Sequence, residues 1–371
     1  IIFLLLLILF INPSALKAEE GQLELTAEAA VLMDRDSRRV LYAQNPHQKR
    51  PMASTTKIMT AVTALEAGDL DDVVIVSERA AAIGGSSIWL SAGEEKTLEE
   101  LLYGLMLRSG NDAAVAIAEH IAGSIEAFAV MMTKKAREIG ALNSSFKNPH
   151  GLHDEKHYIT AYDLSLIASY ALRNPKFREI IATRDIAISW PGAEWDRLLH
   201  NQNRLLDLYP GGDGVKTGWT TPAGRCFVGS ATRDGWQLVA TVLNAPDMYN
   251  DAIMLLDYGF NNFTNKRLIA QGQFLRRVEV EKGVQGSVRV LAEREIVFPL
   301  RDAELKDIHY NFKMEEIYSA PLAKGDYLGE LELFIGNERI GSTPLIAGEE
   351  VKKAPFYMNF IRFWRSLFNR R

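Results

Sequence analysis

Across residues 24–263, strand-like runs crowd the two ends and helical spacing fills the middle. That distribution constrains the fold more than any other feature. Ala29–Met33 and Arg39–Tyr42 flank the polar cluster Asp34-Arg35-Asp36-Ser37, which predicts a hairpin. Cys226–Ala231 and Gln237–Leu243 flank Asp234-Gly235, a second hairpin signal. Between them, residues 54–67, Thr97–Leu107, Asp112–Ile121, Ile125–Ile139 and Asp163–Leu172 repeat apolar positions at helical spacing, and Asp251–Phe263 adds a closing helix. Strands this far apart cannot each bury a face alone. The expectation is an α/β unit over 24–264: an antiparallel sheet assembled from both chain ends, with helices and an inserted helical lobe.

From about residue 270 the texture changes. Val278–Val280, Val288–Leu291, Ile296–Phe298, Ile308–Phe312, Leu328–Phe334 and Glu338–Pro344 are short strand candidates split by glycine or polar turns. They predict a small all-β domain over 270–348.

The ends differ from the body. Ile1–Ile11 is an unbroken apolar run, too short to span a bilayer core, which needs about 20 residues. Asn12-Pro13 and the small residues up to Ala18 follow, so residues 1–18 read as a signal peptide and imply export. With neither an initial Met nor a basic flank, the run reads as a leader clipped at its start. At the other end, 353–371 is expected to form an amphipathic helix. Phe356, Tyr357, Phe360, Ile361, Phe363, Trp364, Leu367 and Phe368 fall in one arc of roughly 160° on a helical wheel, opposite Arg362, Arg365 and Arg370. Rings opposite arginines suit a helix lying in a membrane interface.

Charge sharpens this division. The formal net charge is −5, but setting aside residues 1–18 and 352–371 leaves 35 cations against 47 acids, or −12. So acidic a body excludes the basic footprint of a nucleic-acid binder. Apolar side chains make up 47% of the chain, enough for a full core. A single cysteine, Cys226, rules out an internal disulfide and a Cys-rich zinc site. Its strand context and the lack of a nearby His mark it as a buried structural thiol.

Three short motifs carry chemistry. Ser54 and Lys57 lie three residues apart at the start of a helix, so they share a face, and a lysine with a depressed pKa can take the serine proton. The spacing alone is weak, because Ser14/Lys17 and Ser144/Lys147 repeat it, and Ser54 could simply cap the helix. Ser109-Gly110-Asn111 stands on the break between two helices, and Lys216-Thr217-Gly218 precedes the Cys226 strand. Either could be a cap or a strand rim on its own. Three such elements in one order point to a serine nucleophile in a built cleft.

Ser-x-x-Lys, Ser-x-Asn and Lys-Thr-Gly in this order resemble the penicillin-binding proteins and serine β-lactamases. More narrowly, the chain is similar to the low-molecular-mass D-alanyl-D-alanine carboxypeptidases. Ala53–Ala61, Gly85-Ser86-Ser87, Ser109–Ala114, Asn148–Leu152 and Gly214–Thr220 carry the likeness. The resemblance implies a transpeptidase-like fold, peptidoglycan stem peptides as substrate, acylation by β-lactam antibiotics, no cofactor and no metal. It implies that Ser54 attacks the carbonyl between two D-alanines with Lys57 as base, and that Ser109 relays a proton to the leaving amine. Asn111 would bond the substrate amide, Lys216 would add positive charge, and Thr217 would hold the terminal carboxylate. Backbone N–H groups of Ser54 and Trp219, the latter following Gly218, would form the oxyanion hole. Ser86 and Ser87 are expected near the cleft. The family often has histidine where this chain has Trp219. The expected location is the extracytoplasmic face of the bacterial cytoplasmic membrane.

Three rivals remain at this level. A class A β-lactamase would add a Glu-x-x-x-Asn deacylation loop, a context absent from residues 112–215. A zinc peptidase could use His150, His153 and His157, but no Glu follows His153, and the stretch reads as a solvated loop. A penicillin sensor that acylates without turnover would keep all three motifs.

Overall fold

The computed structural model describes residues 23–355. The segment 1–18, expected to be a signal peptide, and the tail from 356 lie outside the described residues. Within the expected 353–371 helix, the described part is extended: Lys353 bridges to Gly283 and the Ala354 N–H donates to Lys282 O.

The expected sheet is present. Its order is Val40–Gln44, Ala29–Asp34, Trp236–Leu243, Gly224–Arg233, Gly212–Thr220, with every neighbour antiparallel. The two chain ends meet at its centre, where Val31 opposes Thr241. Alternation explains the continuous apolar run at Ala29–Met33. Ala30 and Leu32 face one core with Phe227, Leu238 and Leu255, while Val31 and Met33 face another with Val239 and Ile167. A strand buried on both faces needs apolar residues at every position. Helix Met248–Asn262 covers the first face and helix Ala161–Ala171 the second.

The lobe packs Leu98–Leu107, Asn111–Ala122 and Ile125–Ile139 around helix Lys57–Ala67. This central helix has no polar stripe over its first eight residues, Lys57 to Ala64, because all eight are buried. Thr97 opens Leu98–Leu107 with a capping box to Glu100, and Gly123 and Gly140, both left-handed, end the next two helices. Among the described residues, no single helix is long and apolar enough to cross a membrane.

The β domain begins earlier than expected. Strand Thr264–Ile269 pairs with Ile296–Leu300, so the boundary near 270 moves back to 264. Lys266 and Arg267 in this strand mask its alternation. A six-stranded sheet completes the domain, including the short strand Ile317–Ser319, which runs parallel to Phe274–Glu281. Arg39 fastens the two domains. Its guanidinium donates to Pro299 O and Glu304 and lies over the rings of Phe298 and Phe263 at 5.1 and 5.4 Å.

Candidate active site

Ser54 lies in a 3-10 turn, Ala53–Thr56, that feeds directly into helix Lys57–Ala67. It is not a helix cap, since neither Met52 nor Thr56 at the helix starts makes a side-chain cap bond and Ser54 Oγ faces Lys57 instead. Lys57 Nζ sits 3.0 Å from Ser54 Oγ, 2.7 Å from Asn111 Oδ1 and 2.7 Å from His150 O. The lysine is fully buried. Burial pushes its pKa well below that of a free lysine, and the neighbouring charge of Lys216 pushes the same way. A neutral amine has two N–H donors and one lone pair. Asn111 and His150 accept the two donors, which leaves the lone pair for the Ser54 hydroxyl.

Asn111 has a further task besides the expected contact with substrate. Its Oδ1 is committed to Lys57, and Nδ2 donates to Gly84 O at 2.7 Å. One Nδ2 proton remains for a ligand. The bond to Lys57 also orients the base.

The third wall is strand Gly212–Thr220. A Cβ on Gly218 would stand 2.8 Å from Ser54 N and 2.9 Å from Thr55 N, so the strand backbone lies directly against the nucleophile's turn. The missing side chain supplies space for that approach. Lys216 is expected to add positive charge here, and its charge is felt at Lys57 beside the nucleophile. Its side chain is buried, with Nζ donating to Thr217 O at 3.0 Å, and burial lowers its pKa to about 7.

A cavity of about 420 Å³ opens above these groups, lined by Ser54, Ser86, Ser109, Thr217, Gly218 and Trp219 among others. The side-chain hydroxyls of Ser86, Ser109 and Thr217 have no protein partner among the described residues, and so are available to a ligand. Trp219 is largely exposed at the rim. Ser87 does not line the cavity: its hydroxyl donates to Asp112 Oδ2 at 2.6 Å. It holds the loop while its neighbour Ser86 reaches the cleft.

Each motif carries backbone strain. Ala53 beside Ser54, Ser109 itself and Val215 beside Lys216 have φ of 48°, 61° and 104°. Left-handed backbone is costly for non-glycine residues, and three such residues around one cavity fit a preorganised site.

Two supports escaped the sequence reading. His150 contributes its carbonyl to Lys57, and the loop is pinned by Asn148, whose Oδ1 accepts from Gly151 N and whose Nδ2 donates to Leu152 O. The Asn-Pro-x-Gly turn signal marked the loop but not its contact. The imidazoles of His150 and His157 are buried rather than solvated, and burial lowers their pKa values to about 3 and about 4. His157 contacts Thr56 Oγ1 and Lys147 N. Among the described residues, no cluster of three His, Cys, Asp or Glu could hold a metal. Cys226 is buried, which raises its pKa to about 11.

Asp112 is the second support. Buried at the start of helix Asn111–Ala122, it accepts from Ser87 Oγ and from the N–H groups of Ile88 and Leu90. Asp112→Ala would strand those donors and free the loop that carries Ser86 and the Gly84 carbonyl. A stability loss of about 2–4 kcal/mol is expected. Thermal melts check this, and a variant melting like the parent would refute the anchoring role.

The comparisons agree with this geometry. Residues 16–247 match the family model described as D-alanyl-D-alanine carboxypeptidase. Residues 263–353 match the penicillin-binding protein 5 C-terminal domain. D-alanyl-D-alanine carboxypeptidase DacF of Bacillus subtilis is 37% identical over 364 residues, covering 95% of this chain and 93% of the relative. The crystal structure of penicillin binding protein 5 from Haemophilus influenzae superposes with a TM-score of 0.75 at 29% identity, covering 90% of this chain and all of that one. A peptidoglycan synthesis regulatory factor from Streptococcus pneumoniae gives 0.76 at 26% identity, over 89% of this chain and all of that one. With the site's geometry, the family model over residues 16–247 and a relative at 37% identity across nearly the whole chain place it: the chain belongs to the D-alanyl-D-alanine carboxypeptidase family.

Proposed function

We infer that the protein is a serine-type D-Ala-D-Ala carboxypeptidase acting on peptidoglycan stem peptides and acylated by β-lactams. The observation that carries this reading is the buried Lys57 amine, 3.0 Å from Ser54 Oγ with both its donors already engaged. Ser54 Oγ attacks the carbonyl between the two D-alanines while its proton passes to Lys57. Backbone N–H groups of Ser54 and Trp219 would hold the oxyanion. The C–N bond then breaks, the amine takes a proton through Ser109, and D-alanine leaves. Water attacks the acyl ester and restores Ser54. Thr217, with Lys216 beneath it, receives the terminal carboxylate. We further propose that the protein works at the outer face of the cytoplasmic membrane, held by the aromatic, cationic segment 353–371. The sequence pattern of that tail supports this placement, as does a substrate found outside the cell.

Mass spectrometry of a synthetic pentapeptide stem after incubation tests the reading. Loss of one alanine is expected. An unchanged stem with penicillin still bound to Ser54 would favour a sensor, and sustained nitrocefin turnover a β-lactamase.

The two lysines set opposite pH limbs. Lys57 must be neutral, so kcat/KM climbs as its proton leaves. Lys216 must be charged to attract a carboxylate, so kcat/KM falls as pH rises through about 7, the free-enzyme value. A bound anion favours charged Lys216, so the alkaline limb of kcat should lie higher than that of kcat/KM. A kcat/KM that keeps rising from pH 7 to 9 would remove this role for Lys216.

A further inference from the structure

A second cavity, of about 290 Å³, shares Arg225, Met248 and Tyr249 with the catalytic one. Arg204 and Asp247 also line it. Its floor is rigid. Tyr249 Oη accepts from Arg204 N and donates to Gln202 O, and the ring packs on Phe227 at 5.0 Å. The Arg204 guanidinium lies over the Tyr249 ring at 5.5 Å. Neither Arg204 nor Arg225 has an acidic partner for its guanidinium among the described residues.

Placement explains why this matters. Arg225 sits directly across the strand pair from Trp219, one residue beyond Gly218. In a body carrying −12, two arginines left without acids beside the catalytic trough run against the net charge of the chain. The guanidinium fork matches a carboxylate in geometry and charge. Asp247 is the one acid among the lining residues, so the wall keeps a net positive charge.

We propose that this second cavity is a subsite for a carboxylate carried by the peptidoglycan stem away from the scissile bond, with Arg225 and Arg204 as its ligands. The proposal rests on the carboxypeptidase reading for its substrate. It deepens that reading by making the charge of the remote stem a specificity determinant.

The test separates binding from turnover. Two synthetic stems ending in D-Ala-D-Ala are compared, one with free carboxylates on its earlier residues and one with carboxamides there. Equilibrium binding is measured on Ser54→Ala protein, with penicillin-reactive parent protein assayed separately for D-alanine release. The free-carboxylate stem should bind about tenfold more tightly, as one charge-assisted contact allows. R204Q/R225Q in the same background should reduce the gap to less than about twofold, and D247N should widen it. Both arginines are exposed, and coincident melting curves would establish that the variants fold. Equal binding of the two stems overturns the subsite, and so does a gap that survives R204Q/R225Q. An equal loss for both stems in that variant also overturns it, because Arg225 would then serve the scissile end. Failure of the parent protein to release D-alanine condemns the activity, while the binding comparison still decides the subsite.

Discussion

Ser54→Ala should abolish D-alanine release and labelling by fluorescent penicillin, each by a factor of at least about 10⁴. The loss should be this large because the proposed mechanism makes Ser54 Oγ the atom that forms the bond. Ser109 and Thr217 also line the cavity, but among the described residues neither hydroxyl is hydrogen-bonded to Lys57, and Ser87 is tied to Asp112. The substitution removes one hydroxyl and leaves Lys57 bonded to Asn111 Oδ1 and His150 O, so the melting temperature should stay within a few degrees of the parent. Active-site titration with labelled penicillin, followed by peptide mapping, reads both outcomes. Residual labelling on another serine at the parent rate would overturn the assignment of the nucleophile.

Gly218→Val is the second large effect. Valine places a branched Cβ where the nearest atoms are Ser54 N at 2.8 Å, Thr55 N at 2.9 Å and the Ala53 Cβ at 3.2 Å. Two of the three are backbone, so no side-chain rotation relieves the clash. The strand must back away from the turn, which takes the Trp219 N–H out of register with Ser54. Removing one oxyanion donor typically costs about 10²–10³ in rate. The acylation rate constant should fall by at least that much, with the Lys57–Ser54 pair intact. Gly218→Ala should fall between the two, since it brings the same Cβ without the branches. Stopped-flow acylation on both variants checks the order. Equal rates for glycine, alanine and valine would mean that the strand edge plays no part in oxyanion binding.

The sequence is a good guide wherever local chemistry and final structure coincide. Strands Ala29–Asp34 and Trp236–Leu243 are apolar at nearly every position because both faces are covered, and the Asp-Gly turn fixes their neighbour's register. It misleads where charge hides burial. Charged side chains usually stay at the surface, yet those of Lys96 and Arg197 are buried around Glu94, with Arg197 Nη1 2.9 Å from Glu94 Oε1 and Lys96 Nζ also bonded to Ser189 Oγ at 2.6 Å. This network joins the loop after the cleft to the hairpin Asp185–Ile188/Arg197–His200, two short strands with too little alternation to announce themselves. Strand Thr264–Ile269 was hidden in the same way by its polar residues.

By itself the sequence determined the motif order, the helical insertion, the later all-β texture and the candidate nucleophile. These follow from residue type and spacing, which act over a few positions. Only the tertiary structure decided what each motif residue does. Asn111 and Lys57 are 54 positions apart and His150 is 93 from Lys57, so their shared contact exists only once the lobe closes. The depressed pKa values of Lys57 and Lys216 come from exclusion of water, a property of the packed interior that no single segment possesses. The division between Ser86 in the cleft and Ser87 on Asp112 likewise depends on which way one loop folds over helix Asn111–Ala122.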